Sequence, residues 1–139
     1  MLLKVKKLDP EAILPKYAHA GDAGLDLFSC EAIVLKPGER KLISTGISTE
    51  VPEGYVSLIW DKSGIAASGI KTMGGVIDCH YRGEYKVVML NTSDEDYEIK
   101  KGQKIAQLLI QPIMSVEVKE VSELSETERG TGSFGSTGI

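Results

Sequence analysis

Arg40-Lys-Leu-Ile-Ser-Thr-Gly-Ile-Ser-Thr-Glu-Val-Pro-Glu-Gly-Tyr-Val-Ser-Leu-Ile-Trp60 decides the fold class. Two runs rich in β-branched and aromatic residues, Arg40–Val51 and Tyr55–Trp60, flank Pro52-Glu-Gly54, whose proline and glycine mark a turn. The same grammar extends in both directions. Upstream, Glu31–Leu35 is followed by Pro37-Gly38. Downstream, Tyr85–Asn91, Tyr97–Ile99, Lys104–Ile113 and Val116–Val121 are strand candidates, joined through Asn91–Asp96 and Lys101-Gly102. No stretch sustains a helical period over several turns. One brief helix fits near Ser63–Ser68, with Ser63 or Asp61 as its cap. Short strands at this spacing predict an all-β sandwich, barrel or jelly roll.

The 139 residues form one domain with enough chain for a core. Hydrophobic residues make up 42% and charged residues 26%, ordinary values for a soluble globular protein. A net charge of −4 argues against a broad nucleic-acid surface or a polybasic membrane face. An anionic ligand therefore needs local cations. Met1-Leu-Leu-Lys-Val-Lys-Lys7 carries charge too early for a signal peptide, and no apolar run is long enough for a membrane span. Cys30 and Cys79 form no CxxC pair, which fits a reducing, cytoplasmic setting.

Five segments carry chemistry. Gly74-Gly-Val-Ile-Asp-Cys-His-Tyr-Arg-Gly-Glu84 is the densest. In an extended strand Asp78 and His80 share a face and Cys79 opposes them, so neither a Cys79–His80 dyad nor a metal site is favoured. Asp78 is either a turn-former or a general base that orients water. Tyr81 is either core or a flat platform. Ala20-Gly-Asp-Ala-Gly-Leu-Asp-Leu-Phe28 places Asp26 between two leucines, facing solvent or ordering water around a hard cation. Trp60-Asp-Lys-Ser-Gly-Ile-Ala66 offers a cation, a hydroxyl and a glycine suited to phosphate. Lys101-Gly-Gln-Lys-Ile-Ala-Gln107 sets Gln107 in an apolar strand, where its amide needs partners. Arg129-Gly-Thr-Gly-Ser-Phe-Gly-Ser-Thr-Gly-Ile139 cannot bury enough apolar surface to fold alone. It reads as a linker, or as an arm whose glycines, hydroxyls, cation and aromatic ring close over a nucleotide. The polar stretch Ser122–Glu128 would release it, leaving residues 1–128 as the folded body and 129–139 as the arm.

Taken together and in order, these segments resemble the trimeric dUTPase family: Ala23–Leu27, Lys62–Ala66, Gly75–Glu84, Gly102–Gln107 and Arg129–Gly138. The resemblance runs from Leu14-Pro15 to Gly138. It implies an all-β, jelly-roll-like (β-clip) barrel with one short helix and a flexible glycine-rich C-terminal arm. It implies hydrolysis of dUTP to dUMP and pyrophosphate, with Mg²⁺ on the triphosphate. Asp78 would activate the water that attacks the α-phosphorus. Tyr81 would stack under deoxyribose and exclude a 2′-hydroxyl. The backbone from Gly75, Val76 and Ile77 to Lys86 would read uracil. Lys62, Ser63, Gly64 and Gln107 would hold phosphates, and Asp26 would order water around the metal. Arg129 would reach the γ-phosphate, Phe134 would cover uracil, and Gly135, Ser136 and Thr137 would add phosphate donors. The family forms homotrimers whose sites draw on all three chains.

Three positions depart from the family pattern. Asp61-Lys62 stands where Pro-Arg is usual, which keeps the charge and loses the planar fork. Thr72 stands where many members carry Asn, and Ser133 where Gly is common. The related dCTP deaminases place a catalytic Glu where this chain has Arg82 and an Arg where it has Ala67, so cytosine deamination is disfavoured. A catalytically inactive nucleotide-binding module on the same fold is the other alternative.

Overall fold

The computed structural model describes residues 1–138; Ile139, the last residue of the expected arm, lies outside them. The described residues hold eleven strands and one short helix. The strands are β1 (Lys4–Lys7), β2 (Leu25–Phe28), β3 (Ile33–Leu35), β4 (Arg40–Ser44), β5 (Ile47–Glu50) and β6 (Tyr55–Trp60). Helix α1 (Ser63–Ala67) follows, then β7 (Ile70–Met73), β8 (Val76–Ile77), β9 (Lys86–Asn91), β10 (Tyr97–Ile99) and β11 (Lys104–Pro112). No helix among them is long and apolar enough to cross a membrane.

The all-β expectation with one short helix holds. The expected barrel is corrected, because the ladders divide into four antiparallel sheets and do not close into one: β1-β5, β3-β10, β2-β11-β6-β8 and β4-β9-β7. The reason lies in short strands interrupted by turns. The run Arg40–Val51, expected as one strand, is two. Gly46 sits between them at φ +67°, and a Cβ there would lie 2.9 Å from Ala12 Cβ and from Cys30 Sγ. The chain changes sheets at this glycine, β4 pairing with β9 and β5 with β1. The sheets enclose one core in which Leu27, Leu35, Ile43, Ile47, Met89, Ile105 and Leu108 are fully buried. Strand alternation supplies it: in β9, Val87 and Met89 point inward while Lys86, Val88 and Leu90 are more exposed.

Val116–Val121, expected as a strand, is unpaired and exposed throughout. Its alternation calls for an apolar face to bury it, and this chain offers none there. The expected cap is corrected too. Lys62 is the N-cap of α1 and makes no side-chain capping bond. Ser63 is already helical, and the Asp61 carboxylate serves β7 instead, accepting from Thr72 N at 2.6 Å and from Lys71 Nζ.

Candidate active site

A cavity of about 570 Å³ opens beside β8. Val76 and Ile77 form the outermost strand of the large sheet, with Ile77 opposite Ser57 and Val76 opposite Leu58. Entry to this strand demands glycine: Gly75 sits at φ +107°, and a Cβ would lie 2.8 Å from Ile59 Cβ and O. The strand stops after Ile77. Tyr81 N donates to Asp78 O at 3.1 Å, so residues 78–81 form a turn, and the extended geometry expected for Asp78 and His80 is corrected. A strand that ends at Asp78 leaves its carboxylate exposed at the cavity wall.

The cavity is lined by Gly75, Val76, Ile77, Asp78, Tyr81 and Lys86, with Thr72 and Glu84 beside them and Leu42, Met73 and Val88 as apolar floor. Tyr81 is held by its hydroxyl, which donates to Glu84 O at 3.2 Å, and its ring lies 6.3 Å from that of Tyr85. Gly83 permits this, since a Cβ there would meet the Tyr81 hydroxyl at 2.2 Å. The Glu84 carboxylate accepts from Gly46 N at 3.0 Å and from Ser44 Oγ, which ties the loop to the β4–β5 corner. Arg82 donates to the carbonyls of Cys79 at 2.5 Å and Tyr81 at 3.0 Å. Its guanidinium supports the loop from within and supplies no proton-shuttling carboxylate.

A second constellation gathers Asp26, Lys62, Lys104 and Gln107. Asp26, in β2, is 3% exposed. Lys62 Nζ donates to its Oδ1, and Lys104 Nζ stands 2.7 Å from Oδ2. Oδ2 is therefore buried against the Lys104 ammonium, so each carboxylate oxygen faces its own lysine. Burial pushes the Asp26 carboxyl up, but the hydrogen bonds and charges of Lys104 and Lys62 outweigh it and hold the carboxyl below its usual value. Gln107, in β11, is opposite Asp26 on one side and Trp60 on the other. Its Nε2 donates to Asp61 O at 2.8 Å, the structural partner its half-buried amide requires. Gly24 makes room for it, since a Cβ would lie 2.4 Å from Gln107 Oε1. Ser63 and Gly64 follow Lys62 on the exposed first turn of α1.

Among the described residues, no group of three or more His, Cys, Asp and Glu could cage a metal ion. The Asp26 carboxylate is ion-paired to both Lys62 and Lys104, so a hard cation beside it would be held chiefly by a ligand's own oxygens.

The expected residues thus fall into three places. Asp26, Lys62 and Gln107 meet beside the start of α1. Gly75, Val76, Ile77, Asp78, Tyr81 and Lys86 meet at the cavity. Arg129, Phe134, Gly135, Ser136 and Thr137 stand apart in solvent, folded into local turns such as Ser136 N to Ser133 O at 2.7 Å and Arg129 Nε to Gly132 O at 3.0 Å. Sequence reasoning missed Lys104 as a partner of Asp26, because 78 positions separate them and only the β2–β11 ladder joins them. It also missed the buried hydroxyls of Thr49, Ser57 and Tyr85, which sit in apolar runs without a local signal.

Known proteins resemble this chain over nearly its whole length. A dUTPase family model matches residues 10–138. The deoxyuridine 5'-triphosphate nucleotidohydrolase of Clostridium kluyveri is 55% identical, across 99% of this chain and 99% of its own. The corresponding protein of Nautilia profundicola is 51% identical over the same shares. The solved structure of Staphylococcus bacteriophage 80alpha dUTPase with dUPNHPP has a TM-score of 0.94 at 35% identity, covering 99% of both chains. A mutant dUTPase from phage phi11 of S. aureus, described as showing the coordination of a structural Mg(II) ion, has a TM-score of 0.85 at 31% identity, covering 91% of this chain and 100% of its own.

Proposed function

The chain belongs to the dUTPase family and is a dUTP diphosphatase, and from that premise we propose which of its residues carry the reaction. The observation that supports the assignment is the cavity wall, where Gly75, Val76, Ile77, Asp78, Tyr81 and Lys86 come together. Uracil lies against the backbone of the loop that begins at Gly75 and ends at Lys86. Main-chain donors and acceptors there separate uracil from cytosine, because a missing partner leaves a buried polar group unpaired. Tyr81 packs under deoxyribose and takes the space of a 2′-hydroxyl.

Asp78 accepts a proton from the attacking water. The water oxygen bonds to the α-phosphorus, the bridging α–β bond breaks, and pyrophosphate leaves with the electron pair. Lys62, Ser63, Gly64 and Gln107 bind phosphate oxygens. Asp26 aims Lys62, and its carboxylate would accept from a water of a bound Mg²⁺. Bound Mg²⁺ would supply positive charge that offsets the charge of the phosphates. Arg129 then reaches the γ-phosphate, Phe134 covers the base, and Gly135, Ser136 and Thr137 donate to phosphates as the arm closes and excludes water.

We further propose a homotrimer with shared sites. Within one chain the cavity and the Asp26–Lys62 cluster are apart, and Phe134 touches neither. The exposed apolar side chains Leu42, Val76, Ile113, Met114, Val116 and Val118 supply surface for partner chains to cover.

The deciding experiment compares pyrophosphate release from dUTP, dCTP, dTTP and UTP with Mg²⁺ present. Release from dUTP alone is expected, together with a loss of about 10²–10⁴-fold in Asp78→Asn, the range for a lost general base. Comparable release from UTP would remove Tyr81 from its role, and a near-normal Asp78→Asn rate would remove Asp78.

A further inference from the structure

Three buried hydroxyls form a chain that ends beside Asp78. Thr49 Oγ1 donates to the Tyr85 hydroxyl at 2.6 Å, the Tyr85 hydroxyl lies 2.6 Å from Ser57 Oγ, and Ser57 Oγ donates to Ile77 O at 3.2 Å. Thr49, Tyr85 and Ser57 are 2%, 1% and 0% exposed. Proton counting fixes the direction. A carbonyl only accepts, so Ser57 spends its single proton on Ile77 O. The contact between Ser57 and Tyr85 then requires the tyrosine proton, and the tyrosine oxygen in turn accepts from Thr49. All donors point one way, from β5 through Tyr85 and β6 to β8, and each bond polarises the next.

The placement of this chain gives it a task. Ile77 and Tyr85 are the two stems of the loop 78–84, and one serine hydroxyl joins them. The Tyr85 stem is itself fixed, its N–H donating to Ile47 O at 2.8 Å and its carbonyl accepting from Thr45 Oγ1 at 2.5 Å. The hydroxyl chain therefore sets the gap between a fixed stem and the Ile77–Asp78 stem. We propose that Thr49, Tyr85 and Ser57 are positioning residues that set the width of the base-reading loop and thereby the preference for uracil over cytosine. The proposal rests on the reading of that loop as the pyrimidine reader.

The test is the ratio of kcat/KM for dUTP to kcat/KM for dCTP. That ratio does not depend on how much enzyme is folded, so a merely structural role leaves it unmoved. Tyr85→Phe and Ser57→Ala, which orphan buried partners, are expected to lower it by about tenfold or more. Thr49→Val keeps the shape and loses the donor, and is expected to lower it by roughly threefold or more, whereas Thr49→Ser keeps the hydroxyl and the wild-type ratio. A ratio unchanged in Thr49→Val and in whichever of the other two variants folds overturns the proposal. Wild-type selectivity separates the two levels. If the wild type discriminates dUTP from dCTP, an unmoved ratio in the variants sinks only the hydroxyl chain. If the wild type does not discriminate, the reading of the loop falls and the proposal falls with it.

Discussion

Asp78 and Lys62 lie towards opposite ends of strand β6. Asp78 follows Ile77, which stands opposite Ser57 near the start of β6, and Lys62 follows Trp60 by two residues. The β6 residues between them, Ser57 to Trp60, span roughly 10 Å at the rise of a β-strand, with the turn at Asp78 and the residues before α1 lying outside that span. The α-phosphorus that Asp78 must serve and the phosphates that Lys62 must hold belong to one triphosphate, and reacting groups need near-contact distances. In the proposed trimer, two chains packed head to tail would bring one copy's Asp78 to the other copy's Lys62.

Mixing two inactive variants tests that arrangement. A site that takes Asp78 from one chain and Lys62 from the next is intact wherever a Lys62→Ala chain precedes an Asp78→Asn chain. Random assembly of equal amounts places that pair at one site in four, so about a quarter of wild-type activity is expected after co-refolding. Activity no greater than that of the separate variants would show that each chain completes its own site.

Asp26→Asn tests the two-lysine cluster through pH. The carboxylate is buried, while its partners keep 29% and 46% of their side chains in solvent, so loss of the charge lies between a surface pair and a fully buried one, about 1–3 kcal/mol. The folded carboxyl titrates below its ordinary value of 3.8. Its contribution is therefore complete above that value and is lost as pH falls through the lower folded value. Chemical denaturation should show a constant gap between wild type and Asp26→Asn at neutral pH and a shrinking gap below about pH 4. A gap that persists unchanged into acid would mean that Asp26 stabilises without its charge.

The strands were legible where propensity and turn residues agreed. Tyr55–Trp60 and Tyr97–Ile99 run as the sequence pattern predicts, with Gly54 just before the first and Lys101-Gly102 shortly after the second. Lys4–Lys7 was not, because three lysines hide a strand held by pairing with Ile47–Glu50. Val76–Ile77 is too short for any period to register, and its position depends on Gly75 fitting against Ile59. In the candidate site, Asp78 and Tyr81 were visible because a dense polar motif interrupts apolar chain. The partners of Asp26 were invisible because ladders, not sequence neighbours, bring Lys104 to it.

Lys62→Arg examines the departure from the family's second motif. Lys62 Nζ already donates to Asp26. A guanidinium can keep that contact on one edge and present its other N–H groups to phosphate, which a single ammonium does less well. Binding that is uniform between ground state and transition state changes KM alone. The expected outcome is a KM for dUTP lower by roughly threefold with kcat within about twofold. A fall in kcat would show that Lys62 is placed for the transition state and that arginine misplaces it.

Truncation after Glu128 separates folding from catalysis. Every residue from 129 to 138 is exposed, and the polar contacts that Arg129, Gly132, Ser136 and Gly138 make lie within residues 129–138. Removing them takes away no core surface, so the melting temperature should move by no more than about 1–2 °C, within the range of surface changes. Turnover should behave differently. The arm carries the only arginine and the only aromatic ring beyond residue 112, and its proposed work is to contact the γ-phosphate and seal the base. Losing a lid that excludes water and completes phosphate contacts is expected to lower kcat by about 10²-fold or more. Because the arm is proposed to act on a neighbouring chain, truncated chains should also depress activity when mixed into wild-type trimers, in proportion to their share. Full activity in the truncated protein would show that residues 129–139 take no part in closing the site.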